Sequence, residues 1–314
     1  MANLRRFSSL LVLLLLALVI AAINPKFLDP LNLARIATTS VIPLLMALGG
    51  MFIIQMGSID LSVEGVVAVV AVCFALLVGN TFNSHDLGYW ALPLALGIGA
   101  LAGLVNGLVQ VKLKIPSFMA TLGIGFVGTG LATALLAGNT VRVLDMHVRS
   151  IALQRLLGLP LSVWIALLAL LAAHFVSRHT LLGRHALAIG GGEDLARLNG
   201  INVSRIRLAI FTLAGAFYGL AAILAVAQFG QGHALIVQGQ LFTAITAIVV
   251  GGASLAGGNG SPFSTLLGVL IVVVVSNGMV LMGIPPYVQQ GVQGLLIIAA
   301  VTIALDRAKS RVVK

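Results

Sequence analysis

Ten mostly apolar stretches alternate with short polar connections along the chain, at roughly 7–24, 31–55, 60–79, 88–110, 116–138, 161–177, 208–229, 237–255, 263–282 and 287–305. Each is about the length, roughly 17–25 residues, that carries an α-helix across the hydrocarbon of a bilayer. The pattern predicts an all-α polytopic membrane protein of about ten transmembrane helices, with residues 1–314 forming one transmembrane domain. One segment breaks the pattern. Arg178 to Arg207 holds seven of the chain's 26 charged side chains: Arg178, Arg184, Glu193, Asp194, Arg197, Arg205 and Arg207. So many ions cannot lie in hydrocarbon, where each costs several kcal/mol. Within this segment GGGEDLARLNG reads as a short helix, with Gly190 to Gly192 leading in. Glu193 and Asp194 take its first turn, and Asn199 and Gly200 stop it.

Composition agrees. Of 314 residues, 60% are hydrophobic and only 8% charged, against roughly 25% charged in a soluble domain. The net charge of +10 would suggest nucleic acid in a soluble protein. Here the cations fall between apolar runs and no basic groove with interleaved aromatics is present, so no nucleic-acid partner is expected. Cys73 is the single cysteine, which excludes disulfides and cysteine-rich metal sites. The six histidines have no acidic or cysteine partners at ligand spacing, so no metal site is expected. The start, MANLRRFSSLLVLLLLALVIAA, has the basic and apolar regions of a signal peptide. It lacks a clean cleavage site, and is taken as an uncleaved first span.

The positive-inside rule orients the spans. With the N-terminus in the cytoplasm, Arg5, Arg6, Lys112, Lys114, the five arginines of the central segment, Arg307, Lys309, Arg311 and Lys314 all fall inside. Lys26, Arg35, Arg142, Arg149 and Arg155 fall outside. An even number of spans, with both termini cytoplasmic, is the consistent arrangement. Spans two to five and seven to ten then run in opposite senses. Asn106-Gly107-Leu108-Val109 with Ile115-Pro116 echoes Asn277-Gly278-Met279-Val280 with Ile284-Pro285, as in an inverted repeat, an architecture of transporters.

Polar residues inside the apolar stretches are the candidate chemistry. GSIDLSVEG, Gly57 to Gly65, puts Asp60 and Glu64 on one helix face beside apolar runs, and an unpartnered anion there is costly. Asp60 is expected to cap the third span, with Ser58 and Ser62 satisfying free backbone groups, and to border a hydrophilic path. Glu64 is expected to need a partner such as an arginine. The amides Gln55, Asn106, Gln110, Gln240 and Asn277 can both donate to and accept from the hydroxyls of a polar solute, or serve as interhelical glue. No GxxxxGK[ST] phosphate loop occurs, so ATP-driven movement would need hydrolysis in another subunit. Nor does a nucleophile elbow occur, and no enzymatic chemistry is expected.

Four motifs together resemble one family: GSIDLSVEG at 57–65, VNGLVQVKLKIPSFMATLG at 105–123, LLGRHALAIGGGEDLARLNGINVSRIR at 181–207, and AIVVGGASLAGGNGSPFSTLLGVL at 247–270. Their order and spacing are similar to those of the permease subunits of bacterial ABC importers for monosaccharides, the ribose, galactose and autoinducer-2 group. The resemblance implies a type II-like importer permease in the bacterial inner membrane, working with a second permease, identical or related. A cytoplasmic ABC ATPase would carry ATP and Mg, this chain binding no cofactor of its own, and a periplasmic binding protein would deliver the sugar. It further implies that a segment at about 179–207 couples to the ATPase through Arg184, Gly191, Glu193, Arg197, Asn199 and Gly200, with Ala and Leu faces supplying apolar contact. Gln55, Asp60, Asn106, Gln240 and Asn277 are the candidates for the substrate path. One departure stands out. Where relatives commonly read GYELDAIAAVVIGG, this chain reads Gly239-Gln240-Leu241-Phe242-Thr243-Ala244-Ile245-Thr246 and lacks both carboxylates. The rival expectation is an ion-coupled secondary transporter that uses Asp60 and Glu64 as proton carriers.

Overall fold

The computed structural model describes the backbone of residues 2–309 and the side chains of 9–299 and 302. Arg311 and Lys314, and the side chains of Arg5, Arg6, Arg307 and Lys309, lie outside the described residues, so their part in the charge argument is not tested. A helix meets every predicted apolar stretch: α1 (Ala2–Ile23), α2 (Pro30–Gln55), α3 (Val63–Leu77), α4 (Ala91–Leu113), α5 (Ser117–Leu135), α7 (Leu161–His179), α10 (Val203–Phe229), α11 (Gln240–Val250), α12 (Pro262–Leu281) and α13 (Pro286–Lys309). Between them lie α6 (Met146–Leu153), α8 (Leu181–Gly191) and α9 (Glu193–Leu198). Two short antiparallel pairs complete the described structure, Val141–Arg142 with Gln231–Gly232 and Arg155–Leu156 with Leu159–Pro160.

Among the described residues, six helices are long and apolar enough to cross a membrane. Two others correct the sequence expectation. The stretch predicted at 60–79 folds as an irregular loop, Met56–Ser62, followed by a 15-residue helix, α3. The stretch at 237–255 gives only the 11 residues of α11 and then a glycine-rich loop. At 1.5 Å per residue they extend about 22 and 16 Å, short of the roughly 30 Å of hydrocarbon. Apolar composition made both look like full spans, because a buried loop between half-helices is as apolar as a helix.

The centre of the bundle is α2, whose residues from Ser40 onward are all buried, with α10, α12, α11 and α7 against it. Small residues set the spacing. Gly99 and Gly103 on α4 face Gly215 and Gly219 on α10, and a Cβ at Gly103 would overlap the Phe211 carbonyl. Close backbone approach of this kind replaces the hydrophobic drive that lipid does not supply. Packing also pairs the two halves: α4 lies on α10 as α12 lies on α2, and α3 on α5 as α11 on α13. The matched helices α2 and α10 are long, 26 and 27 residues, whereas α3 and α11 are the short ones.

Candidate functional site

The loop Met56–Ser62 leaves α2 through Gly57, at φ +74°, a conformation that favours glycine. Irregular backbone at membrane depth survives only when its polar groups are satisfied by protein. Side chains of α5 do this: the Ile59 amide donates to Ser117 Oγ at 3.0 Å, and the Leu61 amide to Thr121 Oγ1 at 2.9 Å. Asp60, 5% exposed, anchors the loop from the other side. Its Oδ1 accepts from the Ser62 amide at 2.8 Å and the Ser62 hydroxyl at 2.6 Å, and its Oδ2 from the Tyr218 hydroxyl at 2.9 Å. Asn106 Nδ2 in turn donates to Ser62 Oγ at 2.6 Å. The loop, α4 and α10 therefore share one buried network, in which three donors offset the desolvation of the carboxylate.

This corrects the expected role of Asp60. It folds its own loop and binds α10, whereas Ser62 occupies the cap of α3 without a side-chain capping bond. Glu64 also finds a partner other than the arginine expected. Its carboxylate accepts from the Leu241 amide at 2.7 Å, capping the N-terminus of α11 from α3, where the helix dipole favours an anion. Beside it Gln240 is half-buried, and its Oε1 lacks a partner. Asn277 exchanges reciprocal amide bonds of 3.0 and 2.9 Å with Asn32 on α2. Gln55, fully buried, donates to the Gly260 carbonyl at 2.9 Å, and its own carbonyl accepts from Gly258 at 2.9 Å.

Three backbones converge at that point. A Cβ on Gly190 would overlap the Gln55 carbonyl and the Gly258 amide, and one on Gly257 would press on Gly57 and Gly190. Gly190 belongs to the last turn of α8, not to a lead-in loop as the sequence suggested. So α8 touches the end of α2 and the loop after α11 with no side chain between them.

One residue further, the surface begins. A Cβ on Gly191 would meet nothing within 4 Å, although the Gly191 backbone still passes close to Gly258. The six residues of α9 follow Gly192 at the N-cap and are stopped by Asn199 and Gly200, the latter at φ +79°, as the stop signal predicted. Glu193 bridges Arg197 at 2.6 Å, one turn along, and Arg207 on α10 at 2.8 Å. Desolvation pushes the Glu193 carboxyl up, but the hydrogen bonds and charges of Arg197 and Arg207 outweigh it and hold its pKa below the ordinary value. Arg184, Arg197, Asn199 and Gly200 are exposed. Ala196 turns inward, whereas Leu195 and Leu198 stand 65% and 83% exposed. Those two leucines were not singled out in the sequence; their i,i+3 spacing on the outer side of α9 was the available signal. Tyr218, the partner of Asp60, carried no such signal.

Of the predicted residues, Asp60 and Asn106 meet in one network and Gln55 sits at the glycine junction beside α8. Gln240 and Asn277 stand apart from these, near Glu64 and Asn32 respectively. Lys114, at the α4–α5 turn, lines one cleft with Arg197 and Arg207, so that turn and the central segment occupy the same end of the bundle.

Apolar helices interrupted by satisfied loops, with a charged helix pair offered at one end, define a multi-pass membrane protein. Residues 32–301 match the family model described as the branched-chain amino acid transport system / permease component, and the chain belongs to that family. It is 34% identical to the ribose import permease RbsC of Escherichia coli strain K12 over 299 residues, 94% of this chain and 92% of the relative. It is 34% identical to RbsC of Bacillus subtilis over 98% of this chain and 94% of that protein. The L-arabinose transport system permease AraH of Escherichia coli strain K12 is 33% identical over 98% of this chain and 92% of the relative. No solved structure gives a significant match.

Proposed function

We propose that the chain is the transmembrane permease of an ATP-driven monosaccharide importer. The observation that carries this is similarity to ribose and arabinose permeases over nearly the whole of both chains. On this reading residues 1–314 act as one domain in the bacterial inner membrane, with both termini cytoplasmic and with the half-helices α3 and α11 completing their two of the ten crossings together with the adjoining loops. The matched lengths and packing of the two halves support an inverted repeat.

A cytoplasmic ABC ATPase binds ATP and Mg and docks on α8 and α9; this chain hydrolyses nothing and binds no cofactor. Leu195 and Leu198 supply the apolar contact, while Arg184, Gly191, Glu193, Arg197, Asn199 and Gly200 fix its register. A periplasmic binding protein delivers the sugar, and a second permease, identical or related, completes the pore. ATP binding draws the two docking segments together, and α8 passes the movement to the ends of α2 and α11 through the Gly190 junction. Gln240 borders the substrate path at the half-helix termini, where amides and helix ends can hold hydroxyls. Gln55, Asp60, Asn106 and Asn277 shape its wall from behind.

The test is ATPase activity of the complex in lipid, with its binding protein and a panel of pentoses and hexoses. Stimulation by one sugar is expected and names the cargo. A folded permease that recruits no ATPase, with uptake abolished by an uncoupler, would overturn the reading and leave Asp60 and Glu64 as proton carriers.

A further inference from the structure

Beside the docking helices lies a cleft of about 630 Å³, lined among others by Gln110, Lys114, Ser117, Arg197, Ser204 and Arg207. Polar and cationic side chains share its wall with Val111, Ile115 and Pro116. Lys114 and Arg197 are exposed cations, Arg207 is a third, and no carboxylate lines the cleft; Glu193, bonded to both arginines, offsets one of the three charges. The 19-residue helix α5 begins here at Ser117, after Pro116 at the N-cap, with no side-chain cap on its free amides. Gln110 is 8% exposed, and its Oε1 is buried without a partner. Cations, hydroxyls, an amide and an unfilled helix N-terminus on one concave surface match the oxygens of a phosphate group.

We propose that this cleft binds a phosphate ester, held by Lys114, Arg197 and Arg207 and by the start of α5. The same chemistry has two sources, the headgroup of an anionic lipid and a soluble phosphorylated metabolite. The proposal does not depend on the cargo of the permease.

The test uses the purified full-length chain in neutral detergent. Native mass spectrometry measures retention of phosphatidylglycerol against phosphatidylcholine, and calorimetry measures binding of inorganic phosphate and glycerol 3-phosphate. Lys114→Gln removes a cation from the cleft, whereas Lys112→Gln removes one two residues away, outside it. Loss of one charge-assisted contact should weaken binding about tenfold in Lys114→Gln and leave Lys112→Gln near the parent. Both positions are exposed, so neither change is expected to disturb folding. Selective retention of phosphatidylglycerol identifies a lipid, and saturable binding of glycerol 3-phosphate a soluble ester. The proposal is overturned if neither probe binds, or if the two variants weaken binding equally, since diffuse surface charge would then account for it.

Discussion

Gly190 and Gly191 are neighbours in one helix turn and belong to different worlds. Gly190 is pressed between the end of α2 and the loop after α11, with no room for a methyl group. Gly191 has open space where a side chain would stand, and Leu195 and Leu198 are exposed beyond it. The buried side is held by backbone contact and by a network in which Asp60 has three donors. The outer side is held to the bundle by the buried Ala196 and by one bridging carboxylate, Glu193. Packing that admits no rearrangement can transmit displacement, while a loosely tied surface is free to fit a partner. The difference separates residues that hold this fold from residues that would use it.

The largest effect should come from Gly190→Val. Its side chain would enter two backbones, and overpacking of this kind costs about 3 kcal/mol or more where neither can move. Thermal melting of the purified permease should show a large loss of stability, with Gly191→Ala as the unchanged control. An equal melt for both would end the distinction. Next is Tyr218→Phe, which leaves Asp60 Oδ2 without its donor and should cost about 1–3 kcal/mol, read from the same melts. Asp60→Asn, which keeps the shape and removes the charge, should show whether the anion itself is required.

On the outer side the expectation reverses. Glu193→Gln should lower stability by less than about 1 kcal/mol, because its pairs are partly screened. Sugar-stimulated ATPase activity of the assembled complex should nevertheless fall markedly. A large stability loss with normal coupling would reverse the assignment of α9. The smallest effect is that of pH. Because the folded pKa of Glu193 is lowered, its contribution is present above the ordinary carboxylate range and is lost as pH falls through the folded value. Acidification below about pH 4.5 should loosen α9 slightly, more so at low salt. Hydrogen exchange of the α9 amides would show this, and Glu193→Gln should abolish the dependence.

Much of this comparison was legible in the primary structure, and for identifiable reasons. Hydrocarbon requires long apolar runs, so helices were found near every predicted stretch. Charge cannot enter hydrocarbon, so Arg178 to Arg207 had to lie outside it. The acidic first turn and the Asn199-Gly200 stop are local signals, and α9 formed where they placed it. Asp60 was recognised as unusual because its charge stood against an apolar background. Its partner was not recognised, since a tyrosine 158 residues away leaves no local trace. Local composition likewise could not tell a half-helix and its buried loop from a full span, as at α3 and α11.

The sequence by itself determined the helical membrane class, the position of the charged segment and the family, because each follows from composition or from ordered local motifs. Only the tertiary structure decided that Asp60 ties its loop to Tyr218, that Glu64 caps α11, and that Gly190, unlike Gly191, has no room for a side chain. These depend on which segments meet, and meetings between distant segments are set by packing of the whole bundle.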